Sequence, residues 1–239
     1  MTRFDDYLAE LIASCESDPR ITGLVLMGST ADRARVDEWS DHDVAVIADA
    51  ADVEPLRRDL SWLPRHDGIA LWAREHHDGF KVVYDDGAVV EFGVTDLDGL
   101  AGWHANDWSV AYGGPALTEV MRAVAAKPLP GFAGDPAVLL AALLIGVGRA
   151  RRGESLSAAS SVRGLALDHL LLLLRTSVAD TLDPRRRFEL AHPALGAELV
   201  AAQELPVEEC ARAMLRIAER ELDLDARAVA AVRGRLGWR

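Results

Sequence analysis

The sequence predicts an α+β domain built on a mixed sheet, followed by an all-α helical bundle. Strand-like and helical patterns alternate through the first half, and from Pro115 onward the strand signal disappears. Between the two regimes lies the densest cluster of chain breakers, Lys127-Pro128-Leu129-Pro130-Gly131 with Gly134-Asp135-Pro136. The expected domains are therefore residues 1–127 and 128–239.

The elements follow in order. Phe4, Tyr7, Leu8, Leu11, Ile12 and Cys15 recur at one-face helical spacing, so the chain opens with an amphipathic helix that Asp18-Pro19 ends. Residues 21–27 read as a buried strand running into Gly28-Ser29, residues 30–40 as a polar loop, and residues 41–47 as a second strand. A helix is expected over 53–63, stopped by Pro64. Ile69, Leu71 and Ala73 alternate as strand residues. Residues 81–84, the turn Asp85-Asp86-Gly87 and residues 88–94 read as a hairpin. Asp96 and Asp98 are expected to start the next helix. In the second half the helical patterns cover 136–152, 155–181, 184–203 and 206–235, with Asp183-Pro184 as a start signal for the third.

Composition narrows the functional classes. The chain of 239 residues carries a formal charge of −12. Residues 1–110 hold 23 acidic against 9 basic residues, a net of −14, while the remainder carries +2. So acidic a surface repels a phosphate backbone and argues against a general nucleic-acid binder. The longest uncharged apolar run, residues 136–148, falls short of the roughly 20 residues that a bilayer requires, so no membrane partner is expected. The start turns acidic at once, unlike a signal peptide, and only two cysteines occur, far apart; a reduced, cytoplasmic protein is the expectation.

The most informative stretch joins Gly28-Ser29, eleven intervening residues, and Asp41-His42-Asp43. Residues two apart on a strand project to the same side, so Asp41 and Asp43 are expected close together on one face. Unpaired carboxylates that close raise each other's cost of ionising, and a divalent cation relieves it. Hard oxygen ligands are what Mg²⁺ prefers. A glycine before Ser29 lets backbone approach a phosphate, and Ser29 adds a hydroxyl donor. On the later strand, Glu91 is the one acid on its face, beside Val89 and Gly93. A mid-strand charge among valines requires a partner. A metal held by Asp41 and Asp43 would supply one; Arg74 or Lys81 on the neighbouring strand is the alternative.

Gly28-Ser29, the spacer, Asp41-x-Asp43 and the later Glu91 resemble the nucleotidyltransferase superfamily of the DNA polymerase β type, over about 70 residues as a motif-level match. The two-domain layout, with Arg186-Arg187-Phe188-Glu189 followed by His192-Pro193, resembles more narrowly the bacterial nucleotidyltransferases that modify aminoglycosides and lincosamides. The resemblance implies Mg²⁺-dependent transfer of a nucleoside monophosphate, from ATP or another nucleoside triphosphate, to a hydroxyl with release of pyrophosphate. It implies Asp41 and Asp43 as metal ligands, Glu91 as a metal ligand or general base, and Gly28 and Ser29 as triphosphate contacts. His42 does not belong to that ligand set and is expected to face the other way. Trp103 and Trp108, just past the catalytic strand, are read as core or as walls of a ring pocket. Asp168, which interrupts the apolar run at 165–174, and Glu189 are the acids of the helical half considered for acceptor contact.

Other features carry less. Arg33 and Arg35 border the expected triphosphate loop but are ordinary solvated arginines by default. His76-His77 lack a third ligand at zinc spacing. Gly146-x-Gly148 lacks the Gly-Lys-Ser/Thr of a phosphate loop, and the Arg163/His169 and Arg187/His192 pairs are chance-level. The acceptor is expected to be a small molecule. A protein or tRNA acceptor, or a catalytically silent nucleotide-binding module, is the competing reading. The apolar helical half is also a surface on which a homodimer could form.

Overall fold

In a computed structural model that describes residues 3–75, 78–127, 133–175 and 185–239, the amphipathic opening becomes helix α1, Arg3–Ser17. It buries Tyr7, Leu8, Leu11 and Cys15. The chain divides into two compact units, Met1–Pro128 and Leu129–Arg239.

The first unit is built on six strands: β1 (Ile21–Met27), β2 (His42–Ala48), β3 (Ile69–Arg74), β4 (Gly79–Tyr84), β5 (Val89–Thr95) and β6 (Trp108–Tyr112), in the order β3-β4-β5-β2-β1-β6. All neighbouring pairs are antiparallel except β2 with β5, which run parallel. One face packs its alternate residues, Val44, Val46, Val90, Phe92 and Val94 among them, against α1 and against Leu56 of α3 (Ala50–Arg58). The opposite face carries Val25, Ala45 and Ile47 under Leu100 of α4 (Leu97–Leu100) and Leu117, Met121 and Val124 of α5 (Pro115–Ala125). The period-2 alternation of β2 thus feeds two separate cores.

Several elements differ from the expectation. The loop over 30–40 begins with a helical turn, α2 (Gly28–Ala31), and a 3₁₀ turn at Arg33–Arg35 that Asp32 caps by accepting from Ala34 N. The helix expected over 53–63 starts earlier and stops at Arg58, where Asp59 turns extended and accepts from Ser61 N to begin a 3₁₀ turn. Strand β3 forms, but its alternating apolar residues are not buried: it is a sheet edge, with Leu71 55% and Trp72 53% exposed. Strand β6 was not expected at all. The hairpin turn is as read, with Gly87 at φ +81 and its N–H on Tyr84 O, and Asp96 caps α4 by accepting from Gly99 N at 2.7 Å.

The second unit is helical. Asp135 caps α6 (Pro136–Arg151), accepting from Ala137 N at 2.7 Å. The next helix runs as α7 (Ser155–Ala159), a π-helical segment at Ser160–Ala166, and α8 (Leu167–Leu174). Residues 176–181 of its expected span, and the Asp183-Pro184 start signal, lie outside the described residues, as do His76 and His77. By length and composition alone Ser155–Leu174 would cross a bilayer, which a search for uncharged runs overlooks. Here Val162, Ala166, Leu167, Leu170 and Leu171 of that helix are buried in the unit's core. The two last patterns each split, into α9 (Phe188–Ala191) and α10 (Pro193–Glu204), and into α11 (Val207–Glu221) and α12 (Ala226–Leu236). Pro193 imposes the first break and Asp225, a cap accepting from Ala228 N, the second.

Arg151 at the end of α6 makes a two-pronged contact with Glu208 of α11 at 2.9 and 2.6 Å, and Trp238 Nε1–H donates to the same carboxylate at 3.1 Å. The guanidinium, ahead of the indole, holds Glu208 down at about 2, from 4.5. With the folded pKa below the unfolded one, this contribution is complete above about pH 4.5 and lost as pH falls through about 2. Glu208→Gln is expected to lower stability at pH 7 by on the order of 1 kcal/mol, since both side chains are partly solvated. It should also flatten the acid limb of a urea-denaturation series below pH 4.5.

Candidate functional site

The site is assembled where β1 ends and where β2 and β5 begin. Met27 closes β1, and Gly28 turns the backbone at φ +54, a conformation costing an L-residue about 1–2 kcal/mol. The turn also lies close to Asp43: a Cβ on Gly28 would stand 3.3 Å from Asp43 Oδ2, which would have to give by a few tenths of an ångström. Its N–H is held by Asp107 O at 3.0 Å. Two residues on, Thr30 is fully buried. Its hydroxyl accepts from Asp43 N at 2.8 Å and reaches Asp41 O at 3.4 Å. The Gly-Ser-Thr turn therefore clamps the start of β2 on both sides of His42. Sequence reasoning missed Thr30, and its one sequence signal is a hydroxyl directly after Gly28-Ser29.

The parallel register pairs Asp43 with Glu91 and Ala45 with Gly93. Neighbouring strands lie about 4.8 Å apart, so the two acids stand side by side on the face opposite His42 and Val90. Asp41 does not join them within the strand. It precedes β2 and, with Phe4, Trp39 and His42, borders a separate cavity of about 970 Å³. His42 faces away, as expected: its ring stacks on Phe4 at 3.8 Å and Nε2 lies 3.0 Å from Phe4 O. Burial pushes its pKa down.

Glu91 is taken by a cation of the protein itself. Lys81 lies opposite it on β4, and Lys81 Nζ donates to Glu91 Oε1 at 2.7 Å. That hydrogen bond raises the Lys81 pKa. Of the two partners left open by sequence, Lys81 is the one engaged; Arg74 instead binds Glu54 and Asp78. Arg33 pairs with Asp5 and lies over the Phe4 ring, and Arg35 pairs with Asp32 and Asp107.

Trp103 and Trp108 are partly buried on the acid-bearing face, packed around Leu100, Leu117 and Met121. Trp103 is seated on Gly93, where a Cβ would come within 2.3 Å of its ring. Trp108 lies opposite Met27. Both pack against that core from its partly exposed side, and Trp103 approaches the strand two residues beyond Glu91. In the second unit, Asp168 is paired with Arg185 at 2.7 Å and Glu189 packs against Gly196.

The carboxylates at Asp41, Asp43 and Glu91 have the hard-oxygen chemistry of a Mg²⁺ site, an ion usually held by one or two protein carboxylates together with phosphates. They are not gathered as a cage: among the described residues no cluster of three or more His, Cys, Asp or Glu is placed to hold a metal ion.

No family model matches the sequence, and no curated protein matches it. Solved structures that align along most of the chain include two nucleotidyltransferase-type proteins. An aminoglycoside 6-adenyltransferase from Bacillus subtilis shares 12% identity over 100% of this chain and 93% of its own, at a TM-score of 0.33. A nucleotidyltransferase-like protein from Exiguobacterium sibiricum shares 14% over 97% and 78%, at a TM-score of 0.39. Neither likeness is close enough to carry an inference about this chain.

The clamp is open to test. Thr30→Val keeps the shape but leaves the partly buried Asp43 N–H without its acceptor, a loss of about 1–3 kcal/mol. Thr30→Ser keeps the hydroxyl and is expected to lose less. Equal urea midpoints for the wild type and Thr30→Val would show that the clamp contributes nothing.

Proposed function

We propose that this chain is a metal-dependent nucleotidyltransferase that moves a nucleoside monophosphate, AMP from ATP in the first instance, onto a hydroxyl of a small molecule. The observation that carries the proposal is the parallel register of Asp43 with Glu91, with the positive-φ Gly28 next to the Asp43 carboxylate. Two carboxylates held that close, on strands that fix their spacing, favour a shared cation. A divalent cation, when bound, supplies charge neutralisation on the triphosphate and lowers the pKa of the attacking hydroxyl.

The residues divide the work. Asp43 and Glu91 hold the cation between them, while Asp41, which precedes β2, stands outside that pair. Gly28, lacking a side chain, lets the phosphates come close to the turn, and Ser29 offers its hydroxyl. The acceptor oxygen forms a bond to the α-phosphorus as the bond to pyrophosphate breaks, and Glu91, which can face the cation with one carboxylate oxygen, takes the hydroxyl proton on the other as general base. The acidic balance of the first unit favours a small acceptor over tRNA. A set of nine basic residues among residues 1–110, most of them ion-paired, offers a polyanion little purchase.

The test is Mg²⁺-dependent pyrophosphate release across a panel of hydroxyl acceptors, antibiotics included, with the adduct identified by mass spectrometry. Asp43→Asn is expected to abolish transfer with the fold retained. Glu91→Gln should cost about 10²–10⁴-fold in rate, the scale of a general base, while nucleotide still binds. Ser29→Ala should weaken triphosphate binding by roughly 1–3 kcal/mol in calorimetry. Near-normal turnover of Asp43→Asn would overturn the proposal.

A further inference from the structure

We propose that Lys81 is a resident counter-ion that holds the Glu91 carboxylate in place of a metal, so that a divalent cation must displace it to gain Glu91. This rests on the reading of Asp43 and Glu91 as metal-facing carboxylates.

Lys81, Glu91 and Asp43 occupy one level across three adjacent strands, since Lys81 opposes Glu91 on β4–β5 and Asp43 opposes Glu91 on β2–β5. The ammonium lies 2.7 Å from Glu91 Oε1, a charge-assisted contact on the strand side away from Asp43. The same ammonium lies 3.4 Å from Glu75 Oε2. Lys81 can therefore leave Glu91 without becoming an uncompensated charge, because a second carboxylate already stands within reach.

The residue type matters. Only two of the 26 basic residues are lysines, Lys81 and Lys127. Among the described residues nearly every other ion pair uses an arginine, and several, Arg65–Glu10 and Arg151–Glu208 among them, hold two oxygens at once. A lysine is a compact point charge on a flexible stem, held by single contacts. At this level of the sheet the chain carries the cation that is easier to displace. The pair is partly exposed, 41% at Lys81 and 36% at Glu91, so a competing ion can reach it from solvent.

Two carboxylates at one level also make the need for a cation permanent. In the absence of metal, Lys81 relieves the repulsion between Asp43 and Glu91; with metal present, the ammonium becomes a like charge beside the ion. Lys81 is thus a positioning residue with opposite effects on the free and the metal-bound site.

The experiment measures Mn²⁺ binding to the full chain without nucleotide, by the electron paramagnetic resonance signal of free Mn²⁺. Lys81→Met is expected to tighten Mn²⁺ binding by about three- to tenfold, the scale of removing one partly solvated charge contact beside a divalent ion. Lys81→Gln should shift in the same direction, and it covers the case in which methionine disturbs the fold. Lys81→Arg keeps the charge and should bind Mn²⁺ no more tightly than the wild type. In the Glu91→Gln background, Lys81→Met should lose its tightening, because there is no longer a carboxylate to contest. Unchanged or weaker Mn²⁺ binding in folded Lys81→Met and Lys81→Gln, with Asp43→Asn weakening it, overturns the counter-ion role and leaves the site reading intact. Mn²⁺ binding that Asp43→Asn does not alter overturns both.

Discussion

The pairing of β2 with β5 is the contact on which the arrangement of the first unit depends. It is the single parallel pair in the sheet, and parallel neighbours need a crossover connection rather than a tight turn. Residues 49–88 supply it, with α3 and the β3–β4 hairpin. The hairpin returns antiparallel to β5, so Lys81 arrives beside Glu91 as a consequence of the same crossover. Shifting the β2–β5 register by one residue would turn Asp43 into the core and send His42 to the acid face. The alternating apolar residues Val44, Val46, Val90, Phe92 and Val94, all buried on the other face, resist that slip. The hydrophobic pattern of the core thus fixes the geometry of the carboxylates.

Most of the acids in the first unit have structural work. Asp32, Asp59 and Asp96 cap helical turns, Asp37 and Asp86 accept from nearby backbone N–H groups, and Glu10, Glu54 and Asp18 bind arginines. The net charge of the segment therefore says little by itself about function. What distinguishes Asp43 and Glu91 is that neither caps a turn: both project from strand interiors, a position where a charge is hard to maintain without a partner. Glu91 draws its partner from another strand, while the backbone of Asp43 is fixed through Thr30.

The local elements were legible because local signals determine them. The α1 face, the span of β1 and the Asp85-Asp86-Gly87 turn follow from periodicity and turn chemistry within a dozen residues. What sequence did not convey depends on neighbours distant in the chain. The residues of β3 alternate like a half-buried strand, yet its place at the sheet edge leaves Leu71 and Trp72 exposed. Strand β6 is five residues, partly buried along its length, and lies between Asn106-Asp107 and Gly113-Gly114, so its short Trp-Ser-Val-Ala-Tyr run is masked by breakers on both sides. At the candidate site, the acids were visible as a motif. The Lys81 contact was one of two open choices, because register between strands is a tertiary property. Thr30 was invisible, since nothing in a single sequence separates a buried clamping hydroxyl from an ordinary turn residue.

The way the site is held has a further consequence for its chemistry. Gly28 is held open by backbone geometry, Asp43 by the Thr30 clamp, and Glu91 by a side-chain contact with Lys81. The first two constraints are built from buried or conformationally restricted groups and persist whatever binds. The third is a solvent-reachable ion pair, which costs little to rearrange. Preorganisation is thus unequal: the glycine turn and the backbone at Asp43 are fixed, and the Glu91 carboxylate is exchangeable. On the proposed function, such a site would receive phosphate and metal on its fixed side and recruit its last ligand or base only when a cation outcompetes the lysine, which would couple the assembly of the reactive geometry to the arrival of the charged substrate.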